Sequence, residues 1–374
     1  MTTLVYSGRS LTSEFHAIQS RNAALDGLRG IAVLAVVLFH ATMTLGHHWW
    51  SVQQLLKLTH AGWLGVDIFF ALSGYLITGI LRGSKVRKPA LSAYLSWFYY
   101  RRALRIFPLY FGVLILLLLI PQLFPVLQDE NYRRFVDMQL WFWLHAANLP
   151  REIYGAATPV LEFGKFELTH FWSLAVEEHY YLVWPLMVFF LSRSALLLSA
   201  FAITALSIIL KLQLLDLPAV LVATPKQLAG LAIGSAAAIY PQLFGRRTLA
   251  GVALVFCILL ISFDVTQQTA WLFSPLIALL VACLCIDVSG PGSLFAKLLS
   301  GRLLVLFGKY SYGIYVYHYL FAPSFRGLRL ENFPGGYSVG ALVYVGLYLS
   351  LPLAVAVLSF NYFEAPFLRL KDKA

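Results

Sequence analysis

The sequence predicts an all-α, polytopic membrane protein, and three observations carry that prediction. Of its 374 residues 60% are hydrophobic and only 12% are charged, against about 25% charged in a soluble globule. The apolar residues gather into runs long enough to cross a bilayer. Mean hydropathy is +0.75. Ten such runs are centred near residues 37, 72, 114, 181, 204, 231, 256, 279, 313 and 350. The sixth is interrupted by Pro225 and several small residues. Alternating them from a cytoplasmic N-terminus leaves most of the 28 Lys and Arg on the cytoplasmic side, as the positive-inside rule asks, and returns the C-terminus there too.

No repeat, low-complexity tract or linker divides the chain, so residues 1–374 read as one membrane domain. Within it, residues 124–170 are expected to form an outer-side lid or re-entrant segment, and 366–374 a short cytoplasmic tail. The basic residues ahead of the first run resemble a signal peptide, but no small-residue cleavage site follows, and the run is expected to remain a span. The net charge of +11 does not point to nucleic acid, because its cations are dispersed among apolar runs and form no single basic face. Cys257, Cys283 and Cys285 all fall in apolar segments and read as small buried hydrophobes, neither a disulfide framework nor a zinc site. No metal is expected.

The first run carries Arg29 and His40, eleven residues and so nearly three helical turns apart. They share a face, about 16 Å apart along the helix axis. An intramembrane Arg costs at least about 2.5 kcal/mol, so such a pair lines a cavity or pathway by default. The second run, GWLGVDIFFALSGYLITG, places Asp67 near its outer end, structural or ligand-contacting, and Ser73-Gly74 where helices can approach closely.

The densest basic cluster, Arg82 to Arg105, lies between the second and third runs. Arg102 and Arg105, three apart, are neighbours on one face and suit bidentate phosphate recognition. Anchoring in anionic headgroups explains them equally well when they are taken alone, and Arg29 at similar depth tilts the reading toward a common phosphate pocket. The fourth run opens with Glu177, Glu178 and His179. The two carboxylates point about 100° apart, so one of them at most faces a given cavity squarely. Either salt-bridging or orientation of an imidazole would explain them.

His318 in the ninth run reaches the depth of His40 from a Tyr-rich neighbourhood, where a hydrogen-bonded core role competes with catalysis. Trp49, Trp50, Trp63, Trp141, Trp143 and Trp172 all map to the outer side. An interfacial belt accounts for most of them, while some, Trp172 among them, could stack on sugar rings. His47 and His48 form a loop pair without a third ligand at metal spacing.

The strings LDGLRGIAVLAVVLFH, GVDIFFALSGYLIT, YRRALRIFP, FWSLAVEEHYYLVWP, GKYSYGIYVYHYL and YFEAPF occur in an order that resembles the acyltransferase-3 family of integral membrane acyltransferases. The resemblance covers nearly the whole chain. It implies transfer of an acyl group, often acetyl from acetyl-CoA, to hydroxyls of cell-surface carbohydrates, with the protein in a bacterial inner membrane. The family's Arg/Lys-x10-His pattern lands on Arg29 and His40, its Arg-x-x-Arg on Arg102 and Arg105, and its WSL-type motif on Trp172, Ser173, Leu174, Glu177 and Glu178. This chain has His179 where many relatives carry Gln. A periplasmic esterase-like extension found on some members is absent from the sequence in hand.

These readings combine into one expectation. Arg29, Arg102 and Arg105 bind the acyl-CoA phosphates. His40 is the general base, with Glu177, Glu178 and His318 as further catalytic candidates. Asp67 and Trp172 contact a surface or lipid-linked carbohydrate. An acyl-His intermediate is the alternative to direct transfer. The rival classes are a transporter or flippase, which also uses intramembrane charge, and a sensory membrane protein. A homo-oligomer is left open.

Overall fold

The computed structural model describes residues 22–43, 59–154, 162–163, 166–215, 217–262, 265–266, 268–320, 322, 334 and 336–371. His47, His48, Trp49 and Trp50 lie outside the described residues. The architecture is helical: α1 (Ala23–Met43), α2 (Gly65–Arg87) entered through a 3-10 turn at His60–Leu64, α3 (Leu91–Leu123), α4 (Glu130–Trp143) and α5 (Leu149–Tyr154). A two-residue β rung, Glu162–Phe163 against Phe166–Glu167, follows. Then come α6 (Phe171–Phe190), α7 (Arg193–Lys211), α8 (Ala219–Val222), α9 (Ala229–Ile239), α10 (Arg246–Ser262), α11 (Ala270–Ser289), α12 (Leu294–Leu299), α13 (Arg302–Lys309), α14 (Ser311–His318) and α15 (Gly336–Ser359). A π-helical turn at Phe360–Glu364 leads into α16 (Ala365–Lys371).

All ten centres read from the sequence fall on helices. Among the described residues six helices are long and apolar enough to cross a membrane alone: Ala23–Met43, His60–Arg87, Leu91–Leu123, Arg193–Lys211, Ala270–Ser289 and Ser338–Lys371. The interrupted sixth run is a bent pair, Ala219–Gln227 and Ala229–Ile239, at 42°. Pro225 opens the 3-10 turn Pro225–Gln227 that leads into the break, since proline cannot supply the N–H that a continuous helix needs. The ninth run is likewise broken, with α13 and α14 meeting at Tyr310.

The core is set by close helix crossings. A Cβ on Gly74 would lie 2.0 Å from the Leu231 carbonyl oxygen, and one on Gly234 would lie 1.9 Å from that of Ala71. Only glycine lets α2 and α9 meet backbone to backbone, the small-residue packing that lipid-embedded helices use in place of a hydrophobic drive. The same device joins α1 to α13, through Gly30 at Leu304 and Gly308 at Asp26.

A buried polar chain threads the first of these crossings. Trp184 donates to Thr78 (2.8 Å), Thr78 to Ser235 (2.8 Å) and Ser235 to the Gly74 carbonyl (3.1 Å), with the Tyr180 hydroxyl 2.7 Å from Ser235. Every member has a partner, so α2, α6 and α9 are pinned in register without an orphaned dipole. At the C-terminal end of α9, Arg82 donates to the Ala238 carbonyl (2.6 Å) and Arg193 to that of Ile239 (2.9 Å). These two cations occupy the negative pole of a helix and satisfy its last carbonyls.

Residues 124–170 do not stand apart from the bundle where they are described. Phe135 and Phe142 are fully buried. Tyr110 of α3 donates to the Phe142 carbonyl (2.9 Å), and His145 stacks on the Tyr110 ring at 4.2 Å. Cys283 and Cys285 are buried as expected, but Cys257 is exposed. An apolar run need not bury each of its members, and α10 turns Cys257 outward together with Leu254 and Ile258.

Candidate active site

Two cavities among the described residues hold the candidate side chains, and the helix ends sort between them. The larger, about 940 Å³, is lined by the C-terminal ends of α1, α7 and α14 and the N-terminal ends of α2, α6 and α11. The smaller, about 550 Å³, is lined by the N-terminal ends of α1, α3 and α14 and by deeper turns of α2 and α6. This antiparallel sorting is what alternating spans require. Val66, Phe70 and Tyr315 line both cavities and form the wall between them.

The smaller cavity is cationic. Arg29, Arg101, Arg102, Arg105, Lys309 and Lys371 line it, with Asp26, Glu177 and Glu178 as its acids. Arg29 donates to Asp26 (2.7 Å), which sits in the first turn of the helix and fixes the guanidinium beside its start. The Arg102 guanidinium lies over the Tyr181 ring at 4.4 Å and that of Arg105 over Tyr312 at 5.9 Å. Stacking on a face leaves the in-plane N–H fork available to a planar anion. The structure thus brings together all three arginines singled out from spacing, and adds Arg101 and Lys309.

Glu177 and Glu178 belong to this cavity. Ser73 (2.8 Å) and Tyr181 (3.1 Å) both donate to the Glu177 carboxylate. The imidazole of His40 has a different partner: His318 Nε2, 3.2 Å from His40 Nδ1. His179 turns aside to Thr224, 2.8 Å from its Nδ1.

The larger cavity holds the imidazoles. His40, His170, Tyr315 and Tyr319 line it, and His318 packs behind them, fully buried. The hydrogen-bond pattern assigns the tautomers. His318 Nδ1 lies 2.7 Å from the Tyr315 carbonyl, which only accepts, so Nδ1 carries the hydrogen. Neutral His318 therefore offers a lone pair at Nε2, and His40 must donate to it through Nδ1–H. The lone pair of His40 is left at Nε2, the arrangement of a base whose far nitrogen is held by an orienting group.

Around these imidazoles lie Trp63, Trp172 and Trp271, the ion pair of Lys226 with Glu152, and Asp67 with Ser274 and Lys211 as neighbours. Flat apolar rings among amides and paired charges make a surface suited to a carbohydrate. Asp67 and Trp172 were legible in the sequence. His170, Lys211, Lys226 and Trp271 were missed, although His170 stands directly before the FWSL string. Among the described residues no group of three His, Cys, Asp or Glu is arranged to hold a metal.

Comparison with known proteins agrees with the resemblance. The profile of the acyltransferase-3 family, described as an acyltransferase domain, matches residues 22–360. The chain is similar to the peptidoglycan O-acetyltransferase OatA of Listeria monocytogenes, 28% identical over 79% of this chain and 48% of that protein. It is also similar to the O-acetyltransferase OatA of Staphylococcus aureus, 26% identical over 94% of this chain and 58% of that one. The chain thus spans about half the length of these relatives. No solved structure matches it.

Proposed function

Because the chain belongs to the acyltransferase-3 family, we propose that it is a multi-pass membrane O-acetyltransferase that moves an acetyl group from acetyl-CoA, taken up on the arginine side, to a carbohydrate hydroxyl presented on the imidazole side. The observation that carries this reading is the pair of cavities. One is floored by guanidiniums, the other is walled by His40 and tryptophans, and they share a partition only a few side chains thick. The net basic charge of the arginine side sets it toward the cytoplasm by the positive-inside rule, with ten spans and both termini inside.

The chemistry follows from the side chains. Arg102, Arg105 and Arg29 hold the CoA phosphates, and the pantetheine arm runs along the Glu177 wall toward Tyr315. His40 Nε2 takes the proton of the acceptor hydroxyl as its oxygen attacks the thioester carbonyl. The C–O bond forms, the C–S bond breaks, and the leaving thiolate recovers the proton from the imidazolium. The second hydrogen of that imidazolium points at His318 Nε2, so the developing charge is shared with a neutral, prealigned imidazole. His318 is thus an orienting group, and the Glu177 carboxylate, held by Ser73 and Tyr181, serves the donor cavity.

The peptidoglycan in the name of the Listeria relative supports a surface glycan, or its lipid-linked precursor, as acceptor. Transport loses ground, because the family is one of acyltransferases and the cations gather at one mouth. In an assay with radiolabelled acetyl-CoA and cell-wall glycan, His40→Ala is expected to lose at least 100-fold in rate while still binding CoA. Undiminished transfer by that variant would remove His40 as the base.

A further inference from the structure

We propose that His170 is a second anchor for the acceptor, taking a hydrogen bond at Nδ1 from a donor adjacent to the reacting hydroxyl. The acceptor class is then a sugar that offers neighbouring donors, a vicinal diol or a hydroxyl beside an acylamino group. This rests on the reading of the larger cavity as the acceptor side.

His170 is 3% exposed and lines the larger cavity. Its Nε2 lies 3.1 Å from the Val316 carbonyl, a pure acceptor, so Nε2 carries the hydrogen and Nδ1 the lone pair. That Nδ1 is buried and has no hydrogen-bond partner among the described residues. A buried acceptor left unmade costs about 1–3 kcal/mol, so a fold keeps one where a ligand answers it. The ring cannot turn to escape the cost. It is wedged against Phe171 (4.8 Å), His318 (5.0 Å), Tyr315 (5.5 Å) and Tyr319 (5.6 Å), and the Tyr315 hydroxyl donates to the His170 carbonyl (3.1 Å).

The pairing with His40 sets the substrate class. His40 packs on the same two rings, at 5.1 Å from His318 and 4.2 Å from Tyr319. Both imidazoles spend their N–H on the protein and keep a lone pair, that of His170 without accessible surface until the side chains over it shift, so together they read two donors and reject a ligand that brings only one. An isolated alcohol satisfies one nitrogen and strands the other.

The test uses the full chain, purified in detergent, with labelled acetyl-CoA as donor. The acceptor probes are the methyl glycosides of glucose and N-acetylglucosamine, each with its monodeoxy analogues. With the better glycoside, removing the donor next to the acetylated position is expected to raise KM about tenfold in the native protein. His170→Phe, which keeps the ring volume, should raise KM for the parent glycoside by a similar factor and be indifferent to that deoxygenation. His170→Gln, whose amide oxygen can accept, should recover part of the loss. CoA affinity should stay native in both variants, while the thermal midpoint falls in His170→Phe, which orphans the Val316 carbonyl; the lost sensitivity to deoxygenation is what a merely structural role would not produce.

Unchanged KM in folded variants, a deoxygenation penalty that persists in His170→Phe, or refusal of every glycoside would each overturn the proposal. His40→Ala runs in parallel. Transfer surviving there refutes the base, whereas a dead His40→Ala beside a His170→Phe that keeps the full deoxygenation penalty refutes the anchor alone.

Discussion

On the proposed reading, His40 and His318 are a neutral pair that serves where a carboxylate is more familiar. The Tyr315 carbonyl fixes the His318 tautomer at 2.7 Å, His318 fixes that of His40 at 3.2 Å, and the outcome is a lone pair at His40 Nε2. His318→Phe would preserve the ring packing on His170 and Tyr319 but release the His40 tautomer. We expect kcat to fall 10- to 100-fold with CoA affinity unchanged, measurable by steady-state kinetics beside isothermal titration. Arg102→Ala with Arg105→Ala should do the reverse, weakening CoA at least tenfold, since each charge-assisted phosphate contact is worth about 1.5–3 kcal/mol. Unaltered affinity in that double variant would leave these arginines as headgroup anchors.

Residue chemistry was unevenly legible. Helical spacing alone paired Arg29 with His40 and Arg102 with Arg105, and the structure gathers the three arginines in one cavity and leaves His40 in the other. His318 was reachable by depth. Glu177 was read as a companion of an imidazole and lies instead with Ser73, Tyr181 and the arginines, because helix phase decides which cavity a side chain enters and adjacent numbers say nothing of it. His170 was not seen at all. Its tautomer is set by the carbonyl of Val316, 146 residues away in sequence, and no local pattern announces that contact.

At the scale of elements, the glycine crossings make the site possible. α1 carries His40 and α14 carries His318, and their approach depends on α1 seating against α13 through Gly30 and Gly308. Gly308→Ala would put a Cβ 1.7 Å from the Asp26 carbonyl oxygen, with backbone on both sides and nothing flexible to yield. We expect a fall of several degrees in the detergent melting midpoint together with loss of transfer. The same change at Gly346, where a Cβ meets nothing within 4 Å, should be silent.

The polar chain through Thr78, Ser235, Tyr180 and Trp184 is a milder lock. Ser235→Ala should cost about 0.6–2 kcal/mol, the range of hydrogen bonds between membrane helices, read as a lowered unfolding midpoint. Element existence was the most legible level of all: each apolar run became a helix. The breaks at Pro225 and Tyr310 were less so, since a run shows that a segment is buried in lipid and leaves open whether it crosses as one rod.

For the whole molecule the consequence is sidedness. The helix ends gather the arginines at one cavity and the tryptophans and imidazoles at the other, so on the proposed reading a nucleotide thioester and a glycan never need to share a compartment. Single cysteines placed at Lys309 and Lys226, in a chain freed of its three native cysteines, should react with impermeant maleimide from opposite faces of intact cells, Lys226→Cys from outside. Labelling of both from one face would invert or dismantle the topology.

Transfer across the membrane remains the most direct test. In sealed inside-out vesicles loaded with N-acetylated glycan, radiolabelled acetyl-CoA added outside should label the lumenal glycan, and His40→Ala vesicles should not. Label reaching the glycan only when acetyl-CoA is sealed inside with it would contradict two-sided delivery to a single buried base.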